Sequence, residues 1–359
     1  MEPKKKYKVI GLMSGTSLDG VDVASCVFQF NDSKWEYSIE KAMAVPYTPT
    51  WLSRLSKAHM MSAEDLVKLH VDYGMHLGNL CRKFIRLYGI KQVDFISSHG
   101  HTVFHQPDKK ITFQVGDGNA IHAVSGLPVV YDFRSIDVAL GGQGAPLVPI
   151  GDRFLFSEYD ICLNIGGIAN LSQQMGGKRI AFDVCFANMG LNHLASKAGK
   201  AFDKQGAMAS DGELDKAMLS DLSKVYLKIR NNRPSFAREF FEKRIRPILD
   251  REEIPITNRL NTFTESIAIE IAASIGDKKK RLSVLCTGGG TFNAYLIYRL
   301  IEHVGDSVDL IIPNPETIKF KEALVFAFLG LRRVRNEINC LKSVTKANRD
   351  SSAGVLVGF

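Results

Sequence analysis

Two short glycine-bearing turns, each caught between apolar runs with strand character, lie about half a chain apart in this 359-residue sequence. The first joins Tyr7–Met13 to Val21–Phe30 through Gly15, Thr16, Ser17, Leu18, Asp19 and Gly20. The second joins Ile161–Ile165 to residues 169–172 through Gly166 and Gly167. A third glycine run, Gly288-Gly289-Gly290, follows the apolar stretch Ser283–Cys286. Strand-like and helix-like runs alternate along the rest, which argues an α/β fold. The repetition suggests a duplicated architecture, with a triphosphate between the halves.

The first turn carries the chemistry of a phosphate site. Glycine lets backbone come close to a ligand because no Cβ blocks the approach. Successive amides in a tight turn form a concave anion site. Thr16 and Ser17 add hydroxyls, and Asp19 and Asp22 suit a hydrated Mg²⁺ ion. The same residues also suit an ordinary hairpin, since Gly-Thr-Ser and Asp-Gly both favour turns. No Gly-Lys-Ser/Thr follows, so this is not a Walker loop. Val21–Phe30 reads as strand rather than helix, which excludes the dinucleotide fingerprint.

Hydrophobic residues make up 45% of the chain, enough for large cores, and the length allows two domains. The net charge of +8 suits anionic small molecules. Basic residues do not cluster; the longest runs, Lys4–Lys6 and Lys278–Arg281, flank expected strands. With no basic–aromatic patch, no nucleic-acid partner is expected. Six scattered cysteines form no Cys-x-x-Cys pair and read as buried thiols in a reducing compartment. The apolar run before Met13 is too short for a signal peptide, and no stretch has transmembrane length. A cytoplasmic protein without membrane contact is expected.

Ser62 opens a helix whose apolar residues from Leu66 to Leu87 recur at steps of three and four, up to Gly89. Asp94–Ser98 reads as a short strand whose end delivers His99, Gly100 and His101. The Gly/Pro-rich stretch from Asp137 to Gly151 reads as the crossing between domains. That places one lobe at 1–136, with the tail 344–359 returning to it, and the other at 137–343. Arg179–Val184 is a further strand carrying Asp183 near its end, and a helix begins near Lys321-Glu322.

Taken together, these motifs resemble the anhydro-N-acetylmuramic acid kinases, of the superfamily of sugar kinases, actin and heat-shock ATPases. The resemblance covers Met13-Ser-Gly-Thr-Ser-Leu-Asp-Gly-Val-Asp22, Ser98-His-Gly-His-Thr-Val103, Gln114-Val-Gly-Asp117 and Asp132-Phe-Arg-Ser135. It continues through Gly141-Gly-Gln-Gly-Ala-Pro-Leu-Val-Pro149, Leu163-Asn-Ile-Gly-Gly-Ile-Ala-Asn170, Phe182-Asp183, Gly288-Gly-Gly290 and Lys321-Glu-Ala-Leu324. It implies a two-domain, actin-like (ribonuclease H-like) ATPase fold with a central cleft. It also implies hydrolytic opening of 1,6-anhydro-N-acetylmuramic acid and its phosphorylation by ATP to the 6-phosphate, in peptidoglycan recycling. By the same resemblance Asp183 is the general base. Gly15 to Asp22, Val21 included, holds ATP together with Gly166, Gly167 and Gly288 to Gly290. His99, Arg134, Asn188 and Glu322 face the sugar, Asp19 is the metal residue, and the assembly is a homodimer.

The sequence departs from the family pattern in places. Where relatives have Asp-Thr-Gly-Pro-Gly-Asn, this chain has Asp183-Val-Cys-Phe-Ala-Asn188, and Phe186 and Ala187 are expected to narrow the loop. Pro234-Ser-Phe-Ala-Arg-Glu239 lacks the usual lysine and glycine. Val344-Thr-Lys-Ala347 has lost a glycine, and His101 replaces a usual glutamine. A kinase for another sugar or sugar acid, and a non-catalytic nucleotide-binding relative, are the alternatives these changes leave open.

Overall fold

The computed structural model describes residues 5–15, 18–32, 34–230, 236–276 and 281–359. Thr16 and Ser17 of the first turn, Pro234 and Ser235, Lys4, and Lys278 to Lys280 of the basic runs lie outside the described residues. The described strands are β1 (Lys6–Ser14), β2 (Gly20–Asn31), β3 (Lys34–Pro46), β4 (Phe95–Gln106), β5 (Ile111–Val115) and β6 (Val129–Tyr131). They continue with β7 (Ile161–Ile165), β8 (Ile168–Met175), β9 (Lys178–Phe186), β10 (Leu282–Thr287), β11 (Val308–Ile311) and β12 (Val355–Val357).

The chain forms two compact units, Met1–Ser157 with Phe320–Phe359, and Glu158–Lys319. The first unit holds the sheet β12–β6–β4–β1–β2–β3, with β5 beside β4. β1, β2 and β3 are antiparallel neighbours, whereas β1, β4 and β6 run parallel. The second unit holds β11–β10–β7–β8–β9. Again the first three strands are antiparallel, and β7, β10 and β11 run parallel. Leaving β5 and β12 aside, both sheets read third, second, first, fourth, fifth. That shared order is the duplication the two glycine turns suggested.

The first unit extends beyond the expected boundary at 136/137. Residues 137–157 belong to it, and it resumes at 320 rather than 344. Glycine and proline in this stretch do not make a linker. Asp137 is buried and accepts from the Gly144 amide at 2.8 Å and from Thr345 Oγ1 at 2.7 Å. Gln143 N donates to the Thr345 carbonyl at 2.7 Å. The segment is thereby tied to the returning tail, near the Val344-Thr-Lys-Ala347 departure.

Local chemistry sets the helices that carry the site. The Ala63–Tyr88 helix starts at Ser62, whose side chain accepts from Asp65 N, and stops at Gly89 in the left-handed region. Leu69, Tyr73, Leu77, Leu80 and Phe84 form its buried stripe against β1, β4 and β6 residues Ile10, Ile96 and Val129. The Pro315–Val334 helix lies close to β1 because residue 11 is glycine. A Cβ there would overlap the Ala323 carbonyl. In the second unit the Ile256–Ile275 helix is buried along most of its length.

Candidate active site

At the end of β1, Leu18 adopts φ +61°, an unusual conformation for a branched side chain, and its amide reaches the Gly15 carbonyl at 3.4 Å. Gly20 is glycine for another reason: a Cβ would overlap the Val45 carbonyl in the β2–β3 pairing. Val21 is buried in the core, so its side chain is not offered to a ligand. Asp22 is half-buried, and burial, then Asp19 and then Glu322, push its pKa up to about 6. Among the described residues no group of three or more His, Cys, Asp or Glu has metal-binding geometry. Mg²⁺ needs no such cage, because it commonly binds one or two carboxylates plus substrate phosphates. Mutually repelling carboxylates at Asp19 and Asp22 fit that mode.

His99 does not follow a strand end, as the sequence suggested; it sits inside β4, which continues to Gln106. The strand survives because Gly100 takes φ +71° and the β1 pairing slips one residue, from Leu12↔Ser98 to Ser14↔His101. The slip separates the two histidines. Ser97 and His99 contact the Pro315–Val334 helix at Phe326, whereas His101 lies by Tyr73 of the Ala63–Tyr88 helix.

Arg134 Nε donates to His99 Nε2 at 3.0 Å, and its Nη1 donates to the Gly144 carbonyl at 2.6 Å. Arginine is donor-only, so His99 must be neutral with its proton on Nδ1. Burial foremost, then the Arg134 charge, hold the His99 pKa well below the usual range. Burial also lowers the Arg134 pKa to about 10, against the opposing pull of Glu322. Asp132, at φ +57°, fixes this turn by accepting from Ser135 Oγ at 2.6 Å.

Glu322 is not at a helix start. Its helix begins at Pro315, so the residue stands mid-helix and a macrodipole role is excluded. Its side chain keeps an opening to solvent, yet surrounding protein raises its pKa; Arg134 and Lys321 oppose this and Asp19 adds to it. The neighbouring Lys321 makes a buried ion pair with Asp152 at 2.8 Å. That pair pins the helix turn from which Glu322 projects.

The second unit offers a different constellation. Asp183 lies on β9, mostly buried from solvent, and its Oδ2 accepts from the Phe236 amide at 2.8 Å. Burial raises its pKa, partly offset by that hydrogen bond. Oδ1 has no hydrogen-bond partner among the described residues. The altered segment after Asp183 does not narrow a loop. Phe186 and Ala187 are fully buried, with Phe186 packed on Phe236, Phe240 and Phe241. The Ala187, Asn188 and Met189 amides donate to the Gly167 and Gly166 carbonyls at 2.9, 3.0 and 3.1 Å. Asn188 Nδ2 reaches the Ile165 carbonyl at 3.3 Å.

The glycines of this unit divide in two. A Cβ on Gly288 or Gly290 would collide with Ile165, so packing dictates glycine there. A Cβ on Gly166, Gly167 or Gly289 would meet only ordinary contacts, so their open surface remains available to a ligand. Sequence reasoning missed the backbone partners Gly144 and Phe236, which no side-chain pattern reveals. It also read Tyr73 as core alone, although its hydroxyl bonds Tyr47.

The sequence profile of the family "Anhydro-N-acetylmuramic acid kinase" matches residues 7–358. The chain belongs to this family. It is therefore an enzyme of a family of ATP-dependent amino-sugar kinases. It is 32% identical to the anhydro-N-acetylmuramic acid kinase of Mannheimia succiniciproducens, over 98% of this chain and 99% of that one. It is 33% identical to that of Shewanella woodyi, over 97% of each. Among solved structures, the activator of the 2-hydroxyisocaproyl-CoA dehydratase from Clostridium difficile aligns with TM-score 0.43 at 12% identity, over 91% of this chain and 97% of its own. A ROK family glucokinase from Streptomyces griseus aligns with TM-score 0.39 at 12% identity, over 90% and 98%. Among the described residues no helix is long and apolar enough to cross a membrane.

Proposed function

We propose that this chain opens the internal ether of 1,6-anhydro-N-acetylmuramic acid with water and transfers the γ-phosphoryl group of ATP to the freed 6-oxygen. The observation that carries the reading is Asp183, anchored through Oδ2 by the Phe236 amide while Oδ1 has no hydrogen-bond partner among the described residues. Such a carboxylate can take a proton without losing its position. Asp183 deprotonates the water as its oxygen bonds to the anomeric carbon. The bond from that carbon to the 6-oxygen breaks, and the 6-oxygen forms the new bond to phosphorus as ADP departs. Burial that lifts the Asp183 pKa makes it a stronger base than an exposed aspartate.

Arg134, oriented by His99 and Gly144, presents a guanidinium suited to the lactyl carboxylate of the sugar. His99 and Glu322 complete the sugar-facing set of the first unit, and Asn188 serves in the second. Gly15 to Asp22, Gly166, Gly167 and Gly288 to Gly290 bind ATP, the open glycines by close backbone approach. Asp19 and Asp22 would hold Mg²⁺, which when bound neutralises charge on the transferring phosphoryl group. Six free, buried cysteines support a reducing, cytoplasmic setting. Assembly as a homodimer rests on the family resemblance.

The test is incubation with ATP and 1,6-anhydro-N-acetylmuramic acid in ¹⁸O-labelled water, read by mass spectrometry. A phosphorylated product with the label on its anomeric hydroxyl is expected. Phosphorylated sugar without label would leave a simple kinase, and no phosphorylated sugar would defeat the reading.

A further inference from the structure

Asp183 and Phe186 lie three residues apart on β9, a spacing that in an unbroken strand turns side chains to opposite faces. The β8–β9 register skips Val184: Asn170 pairs with Asp183 and Ala169 with Cys185. The extra residue cancels the alternation, and Asp183 and Phe186 both reach Phe236. Asp183 Oδ2 accepts from the Phe236 amide at 2.8 Å, and the Phe186 and Phe236 rings meet with centroids 4.9 Å apart and planes at 31°. Strand backbone, ring contact and amide hydrogen bond thus close into one circuit around the carboxylate.

The two sides of the ring contact differ in what fixes them. Phe186 is fully buried, and its amide donates to Tyr226 Oη of the Lys216–Arg230 helix at 3.2 Å. Phe236 is half-buried, and Ala237, Arg238 and Glu239 after it are exposed. Among the described residues the Phe236 backbone makes no hydrogen bond other than the one to Asp183. Its side chain, by contrast, packs on Phe186, Phe240 and Tyr226. The ring is what seats the amide, and Phe186 is the fixed floor beneath the ring.

We propose that Phe186 and Phe236 are positioning residues for Asp183: the Phe186 ring seats Phe236 so that its amide fixes the carboxylate through Oδ2. Relatives carry proline at the place of Phe186, and proline offers no aromatic face for this contact. The departure after Asp183 therefore supplies a support for the carboxylate that the usual pattern lacks. The catalytic consequence rests on the reading of Asp183 as the base; the positioning does not.

Two measurements test it. Amide hydrogen exchange at residue 236, followed by NMR, should quicken about tenfold in Phe186→Leu, the size of one lost hydrogen bond. Amides of β7 in the same unit should stay within about threefold, which separates positioning from general loosening of the core. Unchanged exchange at residue 236 overturns the proposal. Should Phe186→Leu not fold, the same exchange in Phe236→Ala decides in the same way. In steady-state kinetics Phe236→Ala should lower kcat about tenfold through misplacement of the carboxylate, with the KM for sugar and for ATP moving less than about threefold. Phe236→Tyr, which keeps a ring on Phe186, should recover most of the loss, and failure to recover it overturns the proposal. Faster exchange with an unaltered kcat upholds the positioning and removes Asp183 from the chemistry. If the unaltered protein does not turn the sugar over, the kinase reading falls, while exchange at residue 236 still decides the positioning.

Discussion

The two sheets share one strand order but carry opposite chemistry. Around the first sheet stand several interacting charges: Asp19 and Glu322 shift the ionisation of Asp22, and Glu322 and Arg134 shift each other's. On the second, β9 carries Asp183, held by the amide of Phe236, which itself packs among phenylalanines. A duplicated scaffold therefore need not duplicate its site. The first unit offers a charged surface suited to anions and a cation, and the second a partly desolvated carboxylate with open glycine backbone. Each specialisation can be broken separately.

The largest effect should follow from removing the proposed base. Asp183→Ala is expected to lower kcat by about 10²–10⁴, while ATP affinity, measured by equilibrium titration, changes little. A variant retaining more than a tenth of the original turnover would show that the base lies elsewhere. Its pH profile sharpens the point. Because the Asp183 pKa is raised, activity should decline on the acid side as this carboxyl takes up its proton, beginning above the ordinary aspartate range.

Next in size is the ion pair beneath Glu322. Lys321→Met breaks the buried ion pair with Asp152 and should cost about 3–5 kcal/mol. Both tryptophans, Trp35 and Trp51, belong to the first unit, so tryptophan fluorescence in urea reports that unit selectively. The fluorescence midpoint should fall well below the later part of the circular dichroism transition. Coincident loss of both signals at an unchanged midpoint would refute the pair's role.

The smallest effect concerns Asp22. Its folded pKa of about 6 exceeds the ordinary 3.8, so its contribution turns unfavourable as pH rises from 3.8 to about 6 and stays so above. Asp22→Asn should raise the Tm by about 2–4 °C at pH 8 and by about half of that at pH 5, the gain vanishing only below the ordinary aspartate range. A Tm that falls, or a gain independent of pH, would contradict the crowding of carboxylates.

Sequence reasoning located the glycine turns well because apolar runs flank them and the turn residues are distinctive. It found the Ala63–Tyr88 helix for the same reason: stripe, N-cap and terminal glycine agree. It failed at Gly100, where one residue with positive φ lets a strand continue that looked finished. It failed again at Pro315, since a charged first turn hid the start of a helix whose apolar run begins near Phe320. Residues 137–157 looked like a crossing because composition cannot show that Asp137 is held by Thr345, far away in sequence. Phe186 and Ala187 looked obstructive because a departure from a pattern says nothing about which way side chains face.

The first unit is made of two separated stretches of chain, with the second unit inserted between them. During synthesis the ribosome finishes all of Glu158–Lys319 before the segment from Phe320 emerges. β1 and β4 therefore wait, one face bare, for the helix bearing Ala323 and Phe326. The inserted unit can complete its own core in that interval. A nascent chain stalled near residue 310 would expose apolar surface from the earlier-made half, the stretch most in need of a chaperone.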